Sequence, residues 1–271
     1  MGSALPASAQ RPGGCAPKAE GAAAPWLPWI AALFFLAIWE GAVRLGHLPP
    51  YILPPPSRIA TTFVERADVI AAEALVTCGE IAGGLVAGVL AGIALALVMA
   101  GSRRTERALG PFLVVAQSLP VFAIAPLLVI WFGYGFASKI VMAGLIIFFP
   151  VATSFFEGLR RTDPGLIGLA FLNRARRRDT LFLIRVPAAL PSLAAGLRVA
   201  AAVAPLGAIV GEWVGASAGL GLLMLHANAR AQTDVVFAAV AVLVAISVAL
   251  WAGMSTATRL ALHWAPDTLP P

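Results

Sequence analysis

The chain has 271 residues, of which 60% are hydrophobic and only 12% charged. That composition excludes an ordinary soluble domain and indicates an all-α, polytopic membrane protein. The net charge of +6 does not point to nucleic acid: the basic residues sit between apolar runs, without the interleaved aromatics that a base-stacking surface requires.

Residues 1–25, rich in Ala, Gly, Ser and Pro, read as a disordered cytoplasmic tail. Cys15 and Cys78 have no metal-ligand spacing, and no disulfide is expected. A bilayer core of about 30 Å needs roughly 20 apolar residues in a helix, and six segments qualify as transmembrane helices. The first runs from about Trp26 to Val43, with Trp26, Trp29 and Trp39 as interface anchors. The Pro-rich stretch Leu45–Arg58 forbids a regular helix and predicts an extended external connector. Ser57–Glu73 predicts a short amphipathic helix at the membrane surface, so 26–72 forms one unit ahead of the main domain at 73–257.

The second span, about Val76 to Ala100, carries Gly83, Gly84, Gly88 and Gly92, which let helix backbones approach closely; it stops at Gly101–Arg107. The third, about Pro111 to Phe132, contains Pro120 and Pro126. The turn Gly133–Lys139 leads to the fourth, Ile140 to about Phe156. Between Gly158 and Pro191 seven arginines (Arg160, Arg161, Arg174, Arg176, Arg177, Arg178, Arg185) face two acids, Asp163 and Asp179. A mid-bilayer Arg costs roughly 2.5–3.5 kcal/mol, so this loop lies in water, on the cytoplasmic side. The fifth and sixth spans run from about Ser192 to Val214 and Val235 to Ala257, and 258–271 is a cytoplasmic tail. With both termini inside, thirteen Lys and Arg fall on the inner segments and five on the outer, which is the positive-inside bias.

Sites for catalysis are missing. His47, His226 and His263 are isolated, there is no HExxH, and no GxxxxGK[ST] phosphate loop exists. No metal and no cofactor are expected, and the chain is not read as an enzyme. Ionisable groups inside spans are functional candidates because they are costly to bury. Glu212 is either a substrate-pathway carboxylate or a structural one, and Glu80 either a pathway group or an interhelix clasp. Gln117 and Ser118 precede a proline and can bond a polar ring or stitch helices together. Trp213 and Tyr134 can stack on an aromatic ligand or anchor at the interface, and Arg198 snorkels to the inner surface. In the basic loop, Leu166, Ile167, Leu169, Ala170 and Leu172 form a short apolar stripe. Such a helix either docks in a groove on a partner or lies on anionic membrane lipid.

Asp163-Pro164, Ala170 and Pro187-Ala188-Ala189-Leu190-Pro191 resemble the cytoplasmic "EAA" coupling loop of ABC importer permeases, Ala170 standing seventeen residues before Pro187. The usual acid and glycine of that loop are here Gly168 and Arg174. The resemblance extends from about Glu73 to Ala257. Ser118–Val151 looks like the nitrate, sulfonate, taurine and pyrimidine branch, and Pro205–Ala239 is similar to permeases for the hydroxymethylpyrimidine precursor of thiamine. The resemblance implies a type I importer permease in the bacterial inner membrane, acting as a homodimer with an ATP-binding subunit and an extracytoplasmic substrate-binding protein. It implies ATPase coupling through Leu166, Leu169, Ala170, Leu172 and Arg174 in loop 158–191. Sulfonate, taurine or nitrate are the alternative cargoes. A stand-alone secondary carrier or membrane scaffold is the alternative class, against which the absence of an internal repeat argues mildly.

Overall fold

The computed structural model describes residues 26–264 apart from Leu119; the expected tail at 1–25 and the end of the C-terminal tail lie outside the described residues. The described residues form helices, turns and loops, with no strand among them. In chain order the helices are α1 (Leu27–Leu45), α2 (Pro56–Glu65), α3 (Ala67–Gly101), α4 (Arg103–Ser118), α5 (Val121–Phe132) and α6 (Phe136–Arg160). They are followed by α7 (Pro164–Leu172), α8 (Arg177–Asp179), a π-helical turn (Thr180–Arg185), α9 (Val186–Gly215), α10 (Leu220–Ala229) and α11 (Thr233–Ala261).

Among the described residues four helical stretches, against the six spans expected, are long and apolar enough to cross a membrane: α3, α6, α11 and the continuous Arg177–Gly215. A fifth is present if α4 and α5, bent by 98° at Pro120, make one broken span. The expected third span is thus two helices, because Pro120 cannot continue α4 and instead starts α5 in extended conformation. α1, 19 residues long, stands where the first span was expected. Its Trp39 is drawn inward against the Phe237 ring at 5.5 Å instead of anchoring at an interface. The expected surface helix Ser57–Glu73 ends early, at Glu65; after one non-helical residue, Arg66, the chain enters α3. α11 continues as helix to Ala261, past the expected end of the sixth span at about Ala257.

The core is α3, α6 and α9. Gly84, Gly88 and Gly92 recur every four residues and so share one face of α3. Gly84 lies on Ala143, Gly88 on Gly144 and Ile147, and Gly92 on Val151, which sets α3 and α6 side by side and parallel. A Cβ at Gly88 would come within 2.5 Å of the Gly144 carbonyl oxygen, so the approach requires a residue without one. α9 runs antiparallel to both: Gly207 meets Ala143, and Gly196 meets Pro150 and Ser154. Ile81, Ile147, Val151, Ala200, Ala204 and Ala208 are buried along this seam. Small residues close the backbones together where hydrocarbon supplies no hydrophobic drive between helices.

Candidate functional site

Two polar features stand at opposite ends of the core. At the basic end, α7 is a helix of 9 residues, a length that is marginal by itself in water. Both of its ends are fixed. Asp163 is the N-cap, its carboxylate accepting the Gly165 N–H at 2.7 Å, with Pro164 in the first turn. At the other end the Arg174 N–H bonds the Phe171 carbonyl and the Ala175 N–H bonds the Ala170 carbonyl, both at 3.0 Å. This is a Schellman closure, which places its C′ residue in the left-handed region. That residue is Arg174, at φ +56°.

The apolar stripe divides on folding. Leu169, Leu172 and Phe171 project outward, Phe171 at 83% exposure, while Leu166 and Ile167 are less exposed. Ala170 is 5% exposed; it is the inward foot of α7, which packs on the π-helical turn. Phe171 was absent from the residues singled out in the sequence; the helical phase that carries it outward depends on where Asp163 starts the helix. Arg160 pairs with Glu106 at 3.4 Å, and Arg161 with Glu157 at 3.7 Å. Arg174, Arg176, Arg177 and Arg178 are exposed and form no ion pair among the described residues.

At the other end, Glu80 and Glu212 are each 1% exposed and Lys139 is 3% exposed. The expected external turn Gly133–Lys139 is shorter than that, because α6 begins at Phe136 and takes Lys139 inside. The lysine Nζ donates to the Tyr134 carbonyl at 3.1 Å and the Gly135 carbonyl at 3.3 Å, and stands 4.0 Å from Glu80 Oε1. Glu80 Oε2 has no hydrogen-bond partner among the described residues. Glu212 Oε1 accepts from Thr77 Oγ1 at 2.6 Å, and that hydroxyl accepts the Leu220 N–H at 2.9 Å. The Gly221 N–H donates to Glu212 Oε2 and the Gly219 N–H to Glu73 Oε2.

Three successive amides at the start of α10, which helix geometry leaves without intrahelical acceptors, are therefore received by side chains of α3 and α9. Gly219, at φ +120°, makes the turn that aims them there. Glu212 thus serves a neighbouring helix terminus, and neither it nor Glu80 faces open space. Glu73, Thr77 and Lys139 were not singled out in the sequence; the Gly219-Leu220-Gly221 run four residues after Gly215 was the available sign of a capped turn.

Gln117 is exposed and lines an open cavity of about 310 Å³ with Phe149, Pro150 and Thr153, midway along α6. Thr153 Oγ1 donates to the Phe149 carbonyl at 2.7 Å. Ser118 lies outside that lining, its hydroxyl bonded to the Val115 carbonyl at 2.7 Å. Trp213 and Tyr134 are exposed near the opposite end, and Arg198 reaches Thr258 of α11 at 3.4 Å.

Residues 84–261 match the family model for the binding-protein-dependent transport system inner membrane component. A probable ABC transporter permease protein of Haemophilus influenzae is 48% identical over 83% of this chain and 91% of its own length. The formylaminopyrimidine transport permease protein of Halalkalibacterium halodurans is 34% identical, covering 88% of this chain and 95% of its own. The fold also matches the crystal structure of an amino acid ABC transporter with histidines, at TM-score 0.59 and 18% identity, over 76% of this chain and 98% of that one. The chain belongs to the binding-protein-dependent inner-membrane transport components: it is a permease subunit of an ABC importer, a transport component whose ATP hydrolysis resides on a separate subunit and whose family implies a substrate-binding protein.

Proposed function

We propose that two copies of this permease form the membrane pathway for a small, neutral heteroaromatic solute of the hydroxymethylpyrimidine kind, with both termini cytoplasmic and α7 docking on the ATP-binding subunit. The observation that carries the docking role is the outward apolar face of α7. Leu169, Phe171 and Leu172 project from a helix capped at both ends, a preformed knob for a groove. The thirteen-to-five distribution of basic residues supports the orientation, since it sets the Gly158–Pro191 loop on the side where ATP is held.

The pyrimidine reading draws on the relative named for a formylaminopyrimidine and on the cavity beside Gln117. A carboxamide offers both a donor and an acceptor, Phe149 offers a ring face, and Pro150 leaves the Ile146 carbonyl without its helical donor. The hollow is open on one side and has about 310 Å³ of free volume. Trp213 is a further aromatic candidate toward the outer end. Glu80, Glu212 and Ser118 are proposed to act on the pathway only indirectly, by shaping the helices that line it.

ATP binding would then displace α7 and bias the permease pair between inward-open and outward-open states. Purified complex with its ATP-binding and binding-protein partners, reconstituted in vesicles, tests both parts. Phe171→Asp with Leu172→Asp is expected to abolish co-purification of the ATP-binding subunit while leaving the permease folded; retained association would refute the docking role. Labelled hydroxymethylpyrimidine is expected to accumulate in preference to taurine and nitrate, and equal uptake of the three would refute the cargo.

A further inference from the structure

Arg185 was one of seven loop arginines in the sequence, yet the fold treats it differently from the other six. It is the last residue of the π-helical turn and leads directly into α9. Its Nε and Nη2 donate to the Leu159 carbonyl at 3.0 and 2.8 Å, and its Nη1 donates to the Ala100 carbonyl at 3.0 Å. Leu159 lies in the last turn of α6 and Ala100 in the last turn of α3. Both carbonyls belong to helix ends, where oxygens lack intrahelical donors and carry the negative end of the helix dipole. One half-buried guanidinium therefore joins the ends of α3 and α6 to the root of α9.

These are the three helices of the core, and they converge where α7 is attached. α7 is connected to α6 through Arg161–Asp163 and to α9 through Asn173–Arg176, α8 and the π-helical turn. Without a side-chain tie, a push on α7 can be absorbed in those short connections and in the widened hydrogen bonding of the π turn. The rigid fork of Arg, bonded to two separate helix ends, removes that slack.

We propose that Arg185 is a positioning residue that makes α3, α6 and α9 move as one body when α7 is displaced, so that ATP hydrolysis is converted into transport. The proposal rests on the docking role of α7 given above. Reconstituted wild-type, Arg185→Met and Arg185→Lys complexes are to be compared for binding of the ATP-binding subunit, ATPase turnover and solute accumulated per ATP hydrolysed. Arg185→Met is expected to keep the subunit bound and ATPase turnover near wild type. Its accumulation per ATP should fall about tenfold or more, since the variant loses all three charged hydrogen bonds to the two carbonyls. Arg185→Lys keeps the charge and loses the fork, so a smaller fall in the same ratio is expected.

A purely structural role would lower binding, turnover and uptake together and leave the ratio unchanged, which would overturn the proposal. If Arg185→Met does not assemble, the ratio in Arg185→Lys decides in the same way. Failure of the wild-type permease to bind the ATP-binding subunit would instead refute the docking role, and this proposal with it.

Discussion

Arg174 stands where the resemblance to the coupling loop leads one to expect glycine, and the fold shows what that position requires. The Schellman closure of α7 needs a residue with positive φ at C′, and Arg174 adopts φ +56° there. A side chain in that region costs roughly 1–2 kcal/mol against glycine, partly offset by the greater freedom glycine has when unfolded. Arg174→Gly is therefore expected to stabilise the end of α7 by about 0.5–1 kcal/mol, the left-handed cost less the entropy difference, seen as slower hydrogen exchange at the Arg174 and Ala175 amides. Gly168, where the same resemblance leads one to expect an acid, is the opposite case: a Cβ there meets nothing within 4 Å. Gly168→Ala should stiffen α7 by about 1 kcal/mol, again as slower exchange, without disturbing ATP-subunit binding. Both positions are thus local in their surroundings: one is a strained turn residue, the other an open surface site. Neither touches the outward Leu169, Phe171 and Leu172.

Among the elements, α3 is held to α6 by the absence of side chains, and this makes a sharp prediction. Gly88→Val would place a branched side chain where even a Cβ comes within 2.5 Å of the Gly144 carbonyl and 2.9 Å of Ile147. Overpacking of this kind costs about 1–3 kcal/mol or more, so the melting temperature of the purified permease should fall. Gly253→Ala in α11 has nothing within 4 Å of the added methyl and should leave it unchanged or raise it. The glycines of α3 were legible in the sequence because their four-residue spacing survives any choice of helix boundary. The spans α6, α9 and α11 were legible because hydropathy over some 20 residues averages out local detail. α10 was not: LGLLMLHANA is apolar without a clear polar face, and its start depends on side chains of α3 and α9 far away in sequence. The break at Pro120 was visible as a proline, but a proline alone does not distinguish a kink from a change of direction. The burial of Ala170 was not legible for a related reason, since the inward side of a nine-residue helix is fixed by packing and not by composition.

Across the whole molecule, the core is tied at one end by Arg185 and at the other by Lys139, Glu80, Glu212 and the amides of α10. A lysine beside a glycine-rich turn reads as solvated, and nothing short of the fold reveals that it is buried among α3, α6 and α9. The two carboxylates differ in how fully they are answered. Glu212 receives a hydroxyl and an amide, whereas Glu80 has Lys139 at 4.0 Å and one oxygen without a hydrogen-bond partner among the described residues. Removing the lysine should therefore be worse than removing both members of the pair. Lys139→Met leaves the buried Glu80 without the cation beside it, and removing one member of a buried pair is the more costly way to break it. Glu80→Gln is milder, because Lys139 keeps the Tyr134 and Gly135 carbonyls and the amide of the new residue keeps polar capacity. In the Lys139→Met, Glu80→Gln double variant the unanswered carboxyl is gone. Its melting temperature should lie clearly above that of Lys139→Met alone, giving the non-additive coupling expected of residues in contact. Strictly additive losses in that cycle would mean that Lys139 is held by its two carbonyls and that Glu80 contributes nothing to the tie between α3 and α6.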